Sequence, residues 1–518
     1  MTTRAAMLDR VGHERTWDLV VIGGGATGLG TAVDAASRGY STLLLEASDF
    51  ARGTSSRSTK LVHGGVRYLA RGNIGLVREA LHERSLLLKN APHLVRRLRF
   101  VIPGYSWGGI AYYAAGLKAY DLLAGFEGIG GSRPVGRDEA LRLAPTLDPG
   151  RLRGGVVYLD GQFDDARFAI ALMRTLLDLG GVALNGMPAV GLIKAGGKVA
   201  GVEAKDSETG RAYRIAARAV VNATGVEADA VRRLDDAATT RAIAPSRGSH
   251  VVLDRSFLPG DVAVMIPKTD DGRVLFAIPW RGRVLLGTTD QAVDRFEAEP
   301  RPSAAEVAYL LDHAGRYFAA KPKLGDVRSA FAGLRPLVGK GGAGRTASLS
   351  REHAVFVSDS GLVTITGGKW TTYRRMGLDA VDRAAEVGGL ARAASTTEAL
   401  RLHGWTAGAT DGPFASYGSD APELEALVAG RPDWGEPIHP GLPDRRVEVI
   451  WAARRELARS VEDVLARRTR SLFLDARASL EAAPAVAALL AGESGADPAW
   501  QEAQVRSFRD LALGYLPG

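Results

Sequence analysis

Lys60, His63, Arg67 and Tyr68 stand close together in "STKLVHGGVRYL" (58–69), around Gly64-Gly65 and between Leu61, Val62, Val66 and Leu69. Apolar residues alternating with cations describe a segment that is partly buried yet keeps its charges. Buried Lys and Arg are costly unless something anionic meets them. Further cations sit in equally apolar or glycine-rich settings: Arg335 in "FAGLRPLVG", Arg351 after "TASLS", and Lys369 after Gly367-Gly368. Brought together, such residues would cage a phosphate-sized dianion through charge-assisted, partly bidentate hydrogen bonds. Kept apart, each would pair with a carboxylate of its own.

A second group of residues is suited to a dinucleotide. "WDLVVIGGGATGLGTAVDAASRGYSTLLLEASD" (17–49) reads as strand, glycine turn, helix, strand, with strands at Leu19–Ile22 and Thr42–Leu45 and a helix over Gly28–Ser37. Gly23 makes the tight turn, Gly25 lets a pyrophosphate approach the backbone, and Gly28 lets helix and strand pack closely. The pyrophosphate then sits at a helix N-terminus. Glu46 closes the second strand about 20 residues on, where it can take ribose hydroxyls. Two later features favour a flavin over a nicotinamide. "VVNATG" sets Thr224 and Gly225 in a small-residue turn after a strand, and "ITGGKWTTY" sets Gly367-Gly368 at a helix start, whose positive end would stabilise charge on a reduced flavin ring.

Other patterns have plainer readings. "GYSWG" (104–108) matches an esterase nucleophile elbow at Ser106, yet Pro103 and the crowd of aromatics fit such an elbow poorly. "GKGGAGRT" (339–346) resembles a phosphate loop, but Arg345 stands where Lys is required. The nine histidines include no H-x-x-x-H pair on a helix, so no metal site is expected, and surface or hydrogen-bonded roles are the default for His13, His82, His93, His313, His403 and His439. With no cysteine, disulfides, thiolate nucleophiles and iron–sulfur ligation are excluded.

The elements that must position these residues emerge from periodicity. Residues 75–91 and 165–181 read as amphipathic helices, and 96–150 as an excursion from the first domain. Short apolar runs at 249–254, 262–267, 274–280 and 283–290 predict an antiparallel sheet. Residues 362–385 return to strand, glycine turn and helix, and after about 390 the pattern is helical. The fold expected is therefore α/β: a Rossmann-like dinucleotide-binding domain (16–95, 140–245 and 350–388), an antiparallel-sheet substrate or cap domain (96–139 and 246–349), and a C-terminal helical domain (389–518). The chain has 518 residues with a formal net charge of +8, and its excess Arg is spread rather than blocked, which argues against nucleic acid. No signal peptide is read at 1–16, and no run reaches the ~18 apolar residues of a spanning helix. The nearest approach, 109–126, either rests on a membrane interface or packs inside the protein, and packing is the favoured reading. The basic stretch 445–470 would dock on a membrane or pack its apolar side within its own domain.

Taken together, "DLVVIGGGATGLGTAVDAASRGYSTLLLEASDFARGTSSRSTKLVHGGVRYL", "DGQFDDARFAIA", "IPWRGRVLLGTTD", "GLRPLVG" and "GGKWTTYR" closely resemble the FAD-dependent glycerol-3-phosphate dehydrogenase family. The resemblance runs in matching order from about residue 16 to 385, and more loosely beyond; "PGYSWGG" (103–109) departs from it. It implies FAD as cofactor and oxidation of glycerol 3-phosphate to dihydroxyacetone phosphate, with electrons passing to a quinone, or to oxygen in a sister group. FAD would be held, beyond the glycine turn and Glu46, by Thr54, Ser55, Ser56 and Lys60 and by His63, Gly64 and Gly65. Thr224, Gly225, Gly367, Gly368, Lys369 and Trp370 would complete that site. Arg67, Tyr68, Arg335, Arg351 and Lys369 would hold the substrate. His63 and Arg335 would lie near its hydroxyl, His63 as general base because neutral imidazole titrates near operating pH, Arg335 against the developing alkoxide. The expected location is cytoplasmic, peripheral at the inner face of the cell membrane for a quinone acceptor, and monomer against homodimer is left open. An FAD enzyme acting on an amine or hydroxy acid, a serine hydrolase built on Ser106, and an inactive flavoprotein acting as a binding module are the alternatives.

Overall fold

The structure, a computed structural model, describes residues 3–69, 72–294, 296–339, 352–408 and 411–517, without the side chains of Arg67 and Tyr68. Arg351, and with it most of "GKGGAGRT", lies outside the described residues.

Among the described residues the strands form two sheets. In the first, Trp17–Ile22 lies between Thr42–Leu45 and Ala212–Asn222, with Val182–Leu184 beyond one and Val363–Gly367 beyond the other, all parallel. His353–Val357 pairs antiparallel at one edge, and the hairpin Ala189–Ala195/Lys198–Lys205 extends Ala212–Asn222. Helices Ala26–Ser37 and Tyr373–Gly388 cover Leu19, Val21 and Leu44 on one face, while helix Arg4–His13 and the hairpin cover Val20, Ile22 and Leu43 on the other; cover on both faces explains the apolar runs of the central strands. Strand register gathers the turns at one end. Ile22 is level with Leu45 and with Asn222, and Asn222 with Thr364. The Gly23 turn, Glu46, Thr224–Gly225 and Gly367–Gly368 therefore all emerge at one carboxyl edge, where open α/β sheets bind ligands.

The second sheet contains the four predicted short strands, as Ile243–Asp254, Val262–Ile266, Leu275–Trp280 and Arg283–Gly287, in antiparallel pairing. Val327–Val338 pairs along Ile243–Asp254 and sets Arg335 opposite Ser246. Val95–Gly104 joins parallel to Val262–Ile266, and Gly154–Phe163 pairs along it over ten residues. The expected division put Gly154–Phe163 in the dinucleotide-binding part; its ladder instead belongs to the second sheet, because its hydrogen bonds run to Val95–Gly104.

Helix Trp107–Ala124 covers this sheet with one face only. Ile110, Leu117, Tyr120 and Ala124 are buried, whereas Trp107 is 66 %, Tyr112 65 % and Leu122 82 % exposed. The packed-inside reading of 109–126 thus holds for half of the helix. Ser106 is its N-cap, accepting from the Gly109 amide at 3.1 Å, and lines neither cavity of the candidate site; that is a cap, not a nucleophile.

The C-terminal region is helical, with Arg446–Arg455, Ala476–Ser494 and Pro498–Leu513 its main pieces. The stretch 445–470 is not a continuous basic face. It breaks at Leu457, where φ is +57°, and its segment Asp463–Arg468 is entirely buried. Arg468 donates to both oxygens of Asp49 at 2.7 and 2.9 Å, Arg467 pairs with the same carboxylate, and Arg470 reaches the Ser56 carbonyl and Asp165. These cations anchor the helical region to the first sheet and are not available to a membrane. No helix among the described residues is long and apolar enough to cross one.

Candidate active site

The carboxyl edge of the first sheet opens into a cavity of about 500 Å³. Gly23, Gly25, Glu46, Thr54, Ser55, Thr224 and Gly225 line it, as do Gly367, Gly368, Lys369 and Trp370. The cradle fits a dinucleotide on geometric grounds. Gly23 has φ +111° and a Cβ there would stand 2.7 Å from the Ala223 carbonyl; at Gly28 a Cβ would collide with the Gly23 carbonyl oxygen. Glycine is therefore required for the turn and for helix–strand contact. Glu46 accepts from the Gly24 amide at 2.6 Å and the Ser48 amide at 2.8 Å, which fixes its carboxylate at the cavity wall, while burial raises its pKa. Ser55 Oγ accepts from the Ala26 amide at the start of the helix, and the Trp370 indole donates to the Ser55 carbonyl at 2.9 Å. One loop is thereby tied both to the glycine-turn helix and to the 367–372 turn.

A second cavity, of about 280 Å³, shares Thr54, Arg57, Pro336 and Gly367–Trp370 with the first. His63, Gly65, Arg335 and Lys369 line it. Arg335 is aimed from its strand by Thr288 Oγ1 at 3.2 Å, the Thr289 carbonyl at 3.1 Å and Asp290 at 3.4 Å. The His63 amide donates to Thr371 Oγ1 at 3.2 Å, and that hydroxyl returns to the His63 carbonyl at 3.4 Å. The backbone of Arg67 and Tyr68 continues from this wall into the turn Val66–Leu69.

Three residues expected at the cofactor line neither of these two cavities. Lys60 is fully buried, donating to Asp165 Oδ2 at 2.6 Å and to the Ser56 carbonyl at 2.7 Å among Trp280, Phe331 and Phe473. Burial draws its pKa down to about 7 against the pull of Asp165. Ser56 spends its carbonyl on Lys60 and Arg470, and Gly64 faces Tyr120; none of the three lines a cavity. Lys60 therefore meets an anion, as its setting demanded, but that anion is Asp165.

Sequence reasoning missed Arg57, His250 and Asp160. Arg57 lines both cavities, pairs with Glu299 at 2.6 Å, and keeps a buried Nε without a hydrogen-bond partner. His250 accepts or donates with Thr59 Oγ1 at 3.0 Å and stacks on Phe331 at 4.9 Å. Burial, with Lys60 and Arg335 nearby, pushes its pKa well below the usual value, so it faces the cavity neutral. Arg57 had a signal, being a cation inside the same loop as Thr54 and Ser55. His250 and Asp160 had none, because each sits in an ordinary strand. Of the seven remaining histidines, four hydrogen-bond carboxylates: His82 with Glu127, His353 with Asp379, His403 with Asp178 and Asp420, and His439 with Glu481.

The family profile described as FAD dependent oxidoreductase matches residues 18–374, and that of the C-terminal domain of alpha-glycerophosphate oxidase matches 365–504. The chain is 37% identical to the mitochondrial glycerol-3-phosphate dehydrogenase of Rattus norvegicus, over 99% of this chain and 75% of that protein. It is 39% identical to a mitochondrial glycerol-3-phosphate dehydrogenase of Arabidopsis thaliana, over 95% and 85% respectively. Among solved structures, the glycerol-3-phosphate dehydrogenase from Bacillus halodurans complexed with FAD superposes with a TM-score of 0.81 at 30% identity, covering 99% of this chain and 98% of that one. On these grounds the chain belongs to the FAD-dependent glycerol-3-phosphate dehydrogenase family, with FAD as its cofactor.

Proposed function

We propose that this enzyme oxidises sn-glycerol 3-phosphate to dihydroxyacetone phosphate and passes the electrons to a quinone. The observation that supports it most is the shared wall of the two cavities, which puts His63, Arg335 and Lys369 around a small space directly beside the dinucleotide cradle. FAD, when bound, supplies the hydride acceptor for C2–H. The residues of the chain do the rest. His63 takes the C2 hydroxyl proton as the carbonyl forms, and the Arg335 guanidinium, held by Thr288, Thr289 and Asp290, stabilises the negative charge growing on that oxygen. Lys369, with Arg67 and Arg351, binds the phosphate, and binding of that kind acts equally on ground and transition states. Arg57, paired with Glu299 on the wall common to both cavities, lies between cofactor and substrate.

A quinone acceptor calls for contact with a lipid surface, and helix Trp107–Ala124 is the element suited to it. Its outer face carries Trp107, Tyr112 and Leu122 with Lys118 as its one charge, and Phe126 comes in the next turn; Trp and Tyr favour the interface between lipid and water. Sedimentation with anionic vesicles tests this part. Binding that persists in Trp107→Asp/Leu122→Asp would rule the helix out.

The reaction is tested by mixing FAD-loaded protein anaerobically with sn-glycerol 3-phosphate and watching the flavin absorbance, with glycerol as control. Bleaching by the phosphate ester alone is expected. A flavin that stays oxidised would reject the substrate. Reoxidation by a soluble quinone faster than by air would support the acceptor, and the reverse order would favour an oxidase.

A further inference from the structure

The inner face of helix Trp107–Ala124 reaches the site. Tyr120 is 2 % exposed, and its hydroxyl accepts from the Gly64 amide at 2.8 Å while donating to Asp160 Oδ2 at 3.0 Å. Asp160 is held in turn: Oδ1 accepts from Arg84 at 2.9 Å and from the Gly161 amide at 3.2 Å. The Arg84 guanidinium also lies 5.8 Å from the centroid of the Tyr120 ring. All three side chains are buried, and Asp160 forms part of the wall of the smaller cavity. Burial raises the Tyr120 pKa well above its usual value, so the group stays a phenol, with one proton to give and a lone pair for the amide.

The amide it holds comes directly after His63. A Cβ at Gly64 would approach Leu81 Cδ2 within 2.6 Å and the Tyr120 hydroxyl within 2.5 Å, so the backbone itself sits against helix Trp107–Ala124. Thr371 brackets the amide and carbonyl of His63 from the other side. The peptide carrying the proposed base is therefore clamped between two elements far apart in sequence. Fixing the main chain on both sides fixes the Cα–Cβ direction of His63, from which its few staggered rotamers branch.

We propose that Tyr120 is a positioning residue for the reaction: its hydroxyl, oriented by Asp160 and Arg84, fixes the Gly64 amide and so aims His63 into the substrate cavity. This rests on the reading of His63 as the base. It also makes the helix with the exposed apolar face the one that touches the catalytic segment.

Tyr120→Phe removes one oxygen and leaves the ring packed. In FAD-loaded full-length protein the rate of anaerobic flavin reduction is expected to fall about ten- to a hundredfold, with the dissociation constant for sn-glycerol 3-phosphate within about twofold. FAD content and melting temperature should stay near wild type. In a His63→Ala background the same substitution should add almost nothing, because the two act through one group. Arg84→Lys, which loosens the far end of the clamp, should show the same split at about threefold. An unchanged rate in Tyr120→Phe, an effect carried by substrate affinity or FAD loss, or full additivity with His63→Ala would each overturn the proposal. A wild-type flavin that the substrate does not bleach would instead overturn the reaction assigned above, which separates the two failures.

Discussion

Two regions of this molecule spend the same residue type in opposite ways. Where the C-terminal region meets the first sheet's domain, Arg167 is buried against Glu456, and Arg467, Arg468 and Arg470 against Asp49 and Asp165, each guanidinium matched by a carboxylate at hydrogen-bond distance. At the cavities Arg335 and Arg57 also have acidic neighbours, Asp290 and Glu299, yet both line open space. In the first region the counter-charge is built in, and the pairs fix how the helical part sits on the sheet. In the second the cations still face a volume of the size of a small phosphorylated molecule. A cation-rich sequence thus carries no function by itself; what matters is whether the paired cation is sealed in the interior or lines a cavity.

The comparison can be broken from its structural side first. Asp49→Ala deprives buried Arg468 of its bidentate carboxylate, while Arg467 keeps Glu462 and Asp463, and breaking a buried pair in this way costs about 3–5 kcal/mol. Denaturant melts of the FAD-loaded protein should show that loss. Burial alone would raise the Asp49 pKa, but the Arg468 and Arg467 charges hold it well below the usual range. Its stabilisation is therefore present above the unfolded carboxylate value, near pH 4, and lost as pH falls through the lower folded value. The gap between wild type and variant should close in acid; a gap that stays constant from about pH 6 to about pH 3 would reject the assignment.

On the functional side, Arg335→Met should leave folding nearly intact and lower the rate of flavin reduction about 10²–10³-fold, the usual loss of an oxyanion-stabilising donor. A change confined to KM would reduce Arg335 to a binding residue. Lys369→Met should raise KM for sn-glycerol 3-phosphate about tenfold, with turnover within about threefold and little effect on glycerol. Equal losses on both substrates would remove Lys369 from the phosphate. The smallest effect is expected at His403, whose pKa is raised to about 9: burial lowers it, and hydrogen bonds to Asp178 and Asp420 overcome that. The pair then stabilises below the unfolded histidine value near 6.5 and is lost as pH rises through about 9. His403→Gln should cost about 1 kcal/mol near pH 6 and almost nothing near pH 10, since partial exposure screens the pair. A cost independent of pH would show packing rather than charge.

Much of this site was legible because its parts are local. The turn Gly23–Gly28 and the strand end at Glu46 lie within one strand–helix–strand unit, where periodicity and glycine spacing carry the geometry directly. Gly367–Trp370 was legible for the same reason. Helix Ala26–Ser37 begins two residues before the predicted Gly28, since the glycine turn closes its first helical turn earlier than side-chain pattern alone reveals. The pairing of Lys60 was not legible because Asp165 is 105 positions away, and a segment of alternating apolar and cationic residues looks the same whether the anion is a ligand or a side chain. At 445–470 the packing alternative describes Val447, Ile450, Val461 and Leu465, which are buried, but the burial of Arg467, Arg468 and Arg470 depends on partners far along the chain.

The sequence by itself determined the dinucleotide cradle, whose short-range glycine spacing only one backbone arrangement satisfies, and, through the motifs it shares with known relatives, the family. The tertiary structure alone decided which cations were left facing the cavity, that helix Trp107–Ala124 is buried on one face and bare on the other, and that its Tyr120 holds the segment of His63. Those outcomes depend on pairing across the two sheets and the helical region. Burial and counter-charge are properties of where residues meet, and a linear pattern does not contain them.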